Sequence, residues 1–368
     1  MGCGRSKGLC PSLGRKNVDD DETSQTVHQD ELTTPPPKED VPVPSLASVL
    51  LSTHPFEAEY TMASNRGLDD RASGHVASHR KTGHRVAVKC FAKAKMNDAD
   101  IQALVDQVHM LKDLKHAHIV EFVGLFQSPT HYYMVNELLE GGELLDRLVD
   151  MECYSELAIR DAIQRLLSAI QCMHSRNIVH RNLKPENILL QNPSDEASIK
   201  ICNFEFAHYD VDSQLSGKYS SLPNMAPEIL AEAVYGREVD IWSVGVMAYL
   251  LLCGHAPYEG ATEAEFLAAI QRGQIEFDAP DDVSDLARSF VMSMLVLDPN
   301  ERPSPETLLQ HPWMTGTVPT APLKSVVQEL KRFQLRRKFK AAVKTVQTSG
   351  SMRGAALLAQ AHTSAAKV

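Results

Sequence analysis

Apolar and polar residues follow different patterns in successive parts of the chain. The run "TGHRVAVKCF" at 82–91 places a turn before an alternating, β-branched segment, which predicts a hairpin strand. The run "DADIQALVDQVHMLKDL" at 98–114 repeats its apolar residues at helical spacing behind an acidic start, which predicts a helix. From about 143 to 313 helical spacing dominates, apart from a zone of strands and loops at 178–228. We therefore expect a small strand-rich lobe followed by a larger helical lobe.

The two ends of the chain have a different character. Residues 1–58 are rich in Pro, Ser, Thr and acidic residues, so they cannot bury enough apolar surface to fold alone. A later stretch, 323–346, predicts a basic amphipathic helix. We expect four segments, namely a disordered N-terminal tail at 1–58, a folded domain at 59–314, a regulatory segment at 315–346 and a C-terminal tail at 347–368.

Composition narrows the possible classes of protein. The chain has 368 residues, and a hydrophobic content of 43% is enough for a substantial core. Its net charge of -10 argues against a general nucleic-acid binder, because such proteins need a dominant basic face. The apolar run at 244–254 is too short to span a bilayer and predicts a buried helix. Seven cysteines without a CxxC pair indicate reduced thiols, and the histidines lack metal-ligand spacing, so no structural metal is expected.

Short motifs in a fixed order carry a family resemblance. They are "VAVK" at 86–89, "KHAHIV" at 115–120, "ELLEGGELLDRLV" at 137–149, "HRNLKPEN" at 180–187, "MAPEIL" at 225–230, "DIWSVGV" at 240–246 and "DPNERPSPETLLQHPWM" at 298–314. Each is weak alone, but together they make residues 60–314 resemble a eukaryotic protein kinase domain of the calcium/calmodulin-dependent group. The resemblance implies an α+β, bilobal fold with a small β-rich N-lobe and a large α-helical C-lobe.

The resemblance also implies where a nucleotide would bind. Lys89 matches the lysine of the α and β phosphates. The adenine-slot and hinge positions are Ala87, Leu189 and Glu137. The glycine-rich loop corresponds to "NRGLDDRASGHV", in which either Gly67 is the first glycine or Gly74 the last. Either register loses two of three glycines and brings carboxylates near the phosphates, unless the loop bends outward as ordinary surface.

Two further chemical positions differ from the family pattern. Gln107 stands where the family has the helix glutamate that pairs with Lys89, so that ion pair is lost. Asn182 replaces the aspartate that accepts the substrate proton, and an amide has no useful basicity. The neighbouring Lys184 and Asn187 match the γ-phosphate lysine and the second metal ligand. The residues that position the phosphate and the metal are therefore retained, whereas the residue that accepts the proton is lost.

The metal-binding motif differs as well. Asn203-Phe204-Glu205 stands where the family has Asp-Phe-Gly. An amide oxygen can ligate Mg²⁺ but brings no charge to a cation that favours carboxylates. One alternative is that Glu205 itself reaches the metal. We expect binding of ATP and Mg²⁺ to be weak or absent.

Residues with a structural role in the family are retained, unlike the catalytic ones. The stack of side chains that ties the two lobes together, called the internal stack below, is matched by Leu111, His180, Phe204 and Asp240, and the buried salt bridge of the helical lobe is matched by Glu228 and Arg302. Glu143 and Glu186 match acids that select an arginine in the peptide substrate, although a solvated acidic rim explains them nearly as well. A partner with a basic motif could therefore be bound without being phosphorylated.

Residues 323–346 resemble the autoregulatory, calmodulin-binding segment of the same kinase group. The predicted contact residues are Leu330, Phe333, Leu335, Arg336, Arg337, Lys338, Phe339, Lys340 and Val343. Seven basic residues and no acidic one occur between Lys331 and Lys344, which suits the acidic groove of calcium-loaded calmodulin. Two apolar faces favour a wrapping partner, whereas the alternative, a membrane surface, needs only one.

The first residues, "MGCGRS", fit a myristoylation pattern with Gly2 as the acceptor. One acyl chain anchors weakly, and Cys3 and Cys10 are candidate palmitoylation sites that would supply the second signal. The alternative is that Gly2 occurs there by coincidence. We expect the protein at the cytoplasmic face of a membrane, or otherwise in the cytoplasm.

These features predict a calmodulin-responsive, membrane-tethered pseudokinase that acts as a signalling scaffold and is monomeric. One alternative is a weakly active ATP-dependent Ser/Thr kinase that uses Lys89, Lys184 and Asn187 with Asn203 or Glu205 on the metal. Another is a calmodulin target whose kinase-like domain is inert.

Overall fold

The computed structural model describes residues 55–63, 74–151, 153–195, 197–210, 213–219, 222–260, 262–273, 275, 277 and 283–349. The side chains of 341 and 343–349 are outside that description. Most of the two predicted tails, namely 1–54 of the segment 1–58 and 350–368 of the segment 347–368, also lies outside it, as does the loop at 64–73.

The first lobe is built on an antiparallel sheet. Its elements are α1 (Phe56–Glu59), β1 (Tyr60–Met62), β2 (Gly74–His79), β3 (Arg85–Ala92), α2 (Asp98–Asp113), β4 (Phe122–Gln127) and β5 (His131–Glu137). The five strands follow the order β1-β2-β3-β5-β4. Gly83 supplies the positive φ of the turn before β3, and the side chain of Asn97 forms a capping box with Asp100 at the start of α2. The strand and the helix predicted here are both confirmed.

The described fold begins before the predicted boundary at 59. Phe56, in α1, is buried and stacks on Tyr133 at 4.3 Å and on Tyr60 at 5.3 Å between ring centroids. Packing this aromatic side chain against the sheet adds buried apolar area to a small lobe and so stabilises it. Residues 55–58 are therefore part of the folded domain, and the predicted tail boundary is too late at this point.

The second lobe is mainly helical. Its elements are α3 (Leu144–Asp150), α4 (Glu156–His174), β6 (Ile178–Val179), β7 (Ile188–Leu190), β8 (Ile199–Ile201), β9 (His208–Tyr209), α5 (Pro227–Leu230), α6 (Glu238–Cys253), α7 (Glu263–Gln271), α8 (Asp285–Met294), α9 (Pro305–Leu309), α10 (Pro312–Thr315) and α11 (Lys324–Ser349). Strand β6 pairs with β9, and β7 pairs with β8. These short ribbons are the predicted strand zone, and they present the loops that face the first lobe.

Helix α6 forms the centre of the second lobe. All of its residues from Val239 to Cys253 are buried, as the apolar run at 244–254 predicted. Beside it, Arg302 donates to both carboxylate oxygens of Glu228 at 2.6 and 2.8 Å. The guanidinium is fully buried and lies 5.0 Å from the Trp242 ring centroid. A paired buried charge of this kind fixes the register of the lobe, because losing one partner leaves the other uncompensated.

The last helix, α11, packs along α3 and α6. Val326, Val327 and Leu330 are buried in this contact. Gly254 caps α6 with a φ of 83°, and a Cβ there would lie 2.8 Å from the backbone oxygen of Val326. Glycine thus allows the two helices to approach closely. Within the described residues, no helix is both long enough and apolar enough to cross a bilayer.

Candidate functional site

A cleft of about 380 Å³ separates the two lobes. The sheet forms its roof, α2 its back, and the loop after β8 its floor. Its lining residues are Gly74, Ala87, Val88, Lys89, Gln107, Leu111, Val120, Met134, Asn136, Asn203, Phe204 and Glu205. The volume lies in the range of small-molecule sites.

Lys89 forms an ion pair with a glutamate on the opposite side of the cleft. Its Nζ lies 2.7 Å from Oε2 of Glu205, which follows β8. Gln107, at the family's glutamate position on α2, is buried and lines the same cleft. The predicted loss of the pair with α2 therefore did not leave the lysine unpaired. Glu205 thus has a role other than metal ligation in this conformation.

Two asparagine side chains and the backbone of a third asparagine meet on the cleft floor. Asn187 Nδ2 donates to the backbone oxygen of Asn182 at 2.7 Å, and Asn203 Nδ2 lies 3.4 Å from Asn187 Oδ1. Asn182 is buried, and among the described residues its Oδ1 has no hydrogen-bond partner. The predicted catalytic and metal positions are thus close together, and Asn182 is linked to the other two through its backbone oxygen rather than its side chain.

The frame beneath these amides is intact. The His180 and Phe204 rings meet edge to face at 4.9 Å, and Asp240 accepts the backbone N–H of His180 at 2.9 Å. Burial lowers the pKa of His180 more than the charge of Asp240 raises it. Burial also raises the pKa of Asp240, but the hydrogen bond and charge of His174 outweigh it and hold that pKa below its usual value. The predicted internal stack is therefore assembled.

The other predicted nucleotide residues are distributed unevenly. Ala87 lines the cleft, whereas Leu189 is half-buried on β7 and is not among the lining residues. The Glu137 side chain is buried and pairs with Lys200 at 2.7 Å, so its role is structural. Lys184 is half-buried beside the Pro185–Asn187 turn. Gly67 lies outside the described residues.

The second site is a groove on the helical lobe, and α11 lies in it. Arg337 of α11 forms ion pairs with both predicted peptide-binding acids, Glu143 and, at 3.4 Å, Glu186. Lys338 lies 2.8 Å from Asp146, which also accepts a hydrogen bond from Gln334. An arginine of the chain itself thus occupies the position predicted for an arginine of a bound peptide.

The predicted calmodulin-contact residues are not equally accessible. Leu330 is buried against the lobe. Half-buried positions are Phe333, Leu335, Arg337 and Phe339, whereas exposed ones are Arg336, Lys338 and Lys340. The side chain of Val343 is outside the description. The predicted helix at 323–346 is confirmed, and it extends to Ser349.

One cleft residue was missed at the sequence level. Asn136 stands opposite Ala87 in the β3–β5 register and lines the cleft. Its Oδ1 is buried and has no hydrogen-bond partner within the described residues. The sequence feature that could have identified it is the single amide that follows the apolar run "YYMV" of β5. Because side chains alternate along a strand, Asn136 lies on the same face of the sheet as Lys89 and therefore faces the cleft.

The predicted lipidation residues, Gly2, Cys3 and Cys10, lie outside the described residues. Across the described ranges, no group of three or more His, Cys, Asp or Glu side chains is arranged to hold a metal ion.

Comparison with known proteins places this architecture in a family. Residues 71–314 match the model of the protein kinase domain family. Calcium/calmodulin-dependent protein kinase type 1 of Macrobrachium nipponense is 36% identical over 234 residues, covering 63% of this chain and 67% of that kinase. The type 1B kinase of Rattus norvegicus is 33% identical over 267 residues, covering 72% and 77%. The chain therefore belongs to the protein kinase family and carries a kinase domain of the calcium/calmodulin-dependent group.

Proposed function

We propose that this protein is a catalytically impaired member of its group, a pseudokinase that recognises basic peptides and is released by calcium-loaded calmodulin. The observation that carries the proposal is the position of Arg337 between Glu143 and Glu186. Arginine pairs well with two carboxylates, and this pairing covers the groove that a basic peptide would use. The protein thus senses calmodulin and presents or hides a binding surface.

The chemistry of the cleft floor supports impaired phosphate transfer. Asn182 cannot accept a proton from a substrate hydroxyl, a contribution of about 10²- to 10⁴-fold in rate. The family uses ATP with Mg²⁺, but the residues at the metal position do not fit the ion. Asn203 brings no charge where the family has an aspartate, and its amide nitrogen faces the oxygen of Asn187, the other metal-ligand position. Lys184 matches the family's γ-phosphate lysine, whereas Lys89 is paired with Glu205.

The basic helix supports calmodulin binding. Three of its cations, Arg336, Lys338 and Lys340, are exposed on α11, while Leu335 and Phe339 are only half-buried. Capture of this accessible end would break the contacts of Arg337 and then pull Phe333 off the lobe. The names of the related kinases are consistent with this form of regulation.

The membrane tether remains a further proposal from the N-terminal sequence. Acylation of Gly2 with palmitoylation of Cys3 or Cys10 would hold the calmodulin-responsive domain at a membrane surface. Metabolic labelling with myristate, compared between the natural chain and Gly2→Ala, tests it; equal labelling would refute it.

The central experiment uses the full-length protein. Titration with calmodulin in calcium should release the groove, so that an immobilised arginine-bearing peptide captures the protein; with chelator, capture should be weak. In the same samples, labelled ATP with Mg²⁺ should give negligible phosphate on the peptide. Transfer that is abolished by Lys89→Ala would establish the weak-kinase alternative instead, and capture that ignores calmodulin would refute the release mechanism.

A further inference from the structure

The phosphate end of the cleft already contains an anion. The Glu205 carboxylate lies 2.7 Å from Lys89 Nζ, and its side chain is about half-exposed, with 45% of its surface accessible. Asn203, which precedes the Phe204–Phe206 turn, has a φ of 62° and places Glu205 at the cleft. An incoming phosphate would have to separate this pair or stand beside a like charge.

The cation position is closed in a corresponding way. Asn187 Oδ1, which would face a metal, instead lies 3.4 Å from the Asn203 amide nitrogen. The same Asn187 side chain is held from below by its 2.7 Å bond to the Asn182 backbone. Among the described lining residues, the charged side chains are Lys89 and Glu205, and their charges cancel. A polyanion therefore finds neither a bridging metal nor a net positive field there.

The inner end of the cleft suits a different kind of ligand. Ala87, Leu111, Val120 and Met134 give it apolar walls. Asn136 adds a buried oxygen that has no partner among the described residues. A buried acceptor of this type is costly unless a donor meets it. A flat apolar ring that carries an N–H group satisfies both features.

We propose that the cleft binds a neutral heteroaromatic ligand of the nucleoside class, without a divalent cation. Asn136 accepts a hydrogen bond from the ring, and Glu205 takes the place on Lys89 that a phosphate would otherwise occupy. This proposal deepens the proposed function and rests on it, since a cleft that turned over ATP would have to hold the triphosphate. No covalent step is involved.

Calorimetry on the full-length protein tests the proposal with adenosine and ATP, each with Mg²⁺ and with EDTA. Adenosine should bind at least as tightly as ATP, and EDTA should change neither affinity. Glu205→Gln frees Lys89 and should raise ATP affinity by about 10-fold or more, while the adenosine affinity stays within about twofold. Asn136→Leu should weaken adenosine binding by roughly 2- to 10-fold, the value of one neutral hydrogen bond.

Glu140→Gln is the matched control, because it makes the same chemical change in a glutamate that pairs with Arg85 outside the cleft lining. It should leave both affinities unchanged. Three outcomes overturn the proposal: natural protein that binds MgATP tenfold more tightly than adenosine, no gain in ATP affinity in Glu205→Gln, or no adenosine binding at millimolar concentration. Each can occur while phosphate transfer is still absent and calmodulin release intact, so the proposed function is judged separately.

Discussion

The phosphate end of the cleft lies between the two lobes, the peptide groove lies on the helical lobe, and the two regions differ in which family residues they retain. At the phosphate end, amides stand at Asn182 and Asn203, and the remaining lysine is paired with Glu205. In the groove, Glu143 and Glu186 keep their charges and are paired with an arginine of α11. The first region has amides at two positions where the family has carboxylates, whereas the second has glutamates at both positions where the family has them.

This difference follows from what each task requires. Phosphate transfer needs a base and a metal at once, so one neutral substitution removes most of the rate. Recognition of an arginine depends on separate ion pairs, each of which is useful by itself. A protein can therefore give up transfer and remain a regulated binding module.

The strongest way to break the contrast is to restore the two anions. Asn182→Asp combined with Asn203→Asp should raise phosphate transfer by at least about 100-fold, because a base and a charged metal ligand return together. Transfer of labelled phosphate from MgATP to an arginine-bearing peptide, with calcium and calmodulin present, measures it.

Each single substitution should give a much smaller gain, since either missing group alone is limiting. Adding Lys89→Ala to the double variant should remove the restored activity. If the natural protein already matches the double variant, the loss at the phosphate end is not chemical and the contrast between the regions disappears.

The peptide groove gives the next largest effect. Arg337→Ala removes the cation between Glu143 and Glu186, whereas the apolar contacts of α11 remain. The affinity for an arginine-bearing peptide in chelator should rise by about 10-fold, the scale of one partly exposed charged hydrogen bond. Fluorescence anisotropy of a labelled peptide would report it.

Two variants of the same helix serve as controls. Arg332→Ala removes a cation whose partner, Glu329, lies in α11 itself, so peptide affinity should not change. Lys338→Ala breaks an exposed pair with Asp146 and should change it by less than about fivefold. A gain of similar size in all three variants would mean that net charge, rather than the position of Arg337, controls the groove.

Many of the helices and strands could be predicted because they depend on the spacing of apolar residues close together in the sequence. The helix expected at 98–114 is found at Asp98–Asp113, and the buried run at 244–254 forms the end of α6 and its cap, Gly254. The substituted positions Asn182 and Asn203 were identified because motif order places them without any coordinates. Local periodicity and fixed motif spacing were sufficient for these elements.

The pairings across the cleft were not predictable in the same way. Lys89 and Glu205 are 116 residues apart, and nothing in the spacing of either segment couples them. The resting place of Arg337 depended likewise on how α11 packs beside Gly254. Tertiary contacts between distant side chains depend on the assembled backbone, so candidate residues for these sites could be predicted from the sequence but their partners could not.

A pH titration gives the smallest of the expected effects and tests the frame that both regions share. Burial lowers the pKa of His116 and His311, and it lowers that of His180 despite the charge of Asp240. The unfolded chain binds protons on these imidazoles near pH 6.5, whereas the folded chain resists them. Their contribution to stability is therefore fully present above about pH 6.5 and is lost as the pH falls below it.

Urea unfolding at pH 7.5, 6.5 and 5.5 should show a declining free energy of unfolding. In His180 the cause is visible, because Nδ1 accepts the Asn182 N–H at 3.2 Å and Nε2 lies 3.1 Å from the Cys202 oxygen. A proton on Nδ1 would break the first bond directly beneath the cleft floor. His116→Gln should reduce the slope by at most about 1.4 kcal/mol per pH unit, the limit for one proton. A flat profile between pH 7.5 and 5.5 would show that these imidazoles take up protons as readily in the folded protein as in the unfolded chain, and the buried stack would then not be the rigid support that both regions are argued to share.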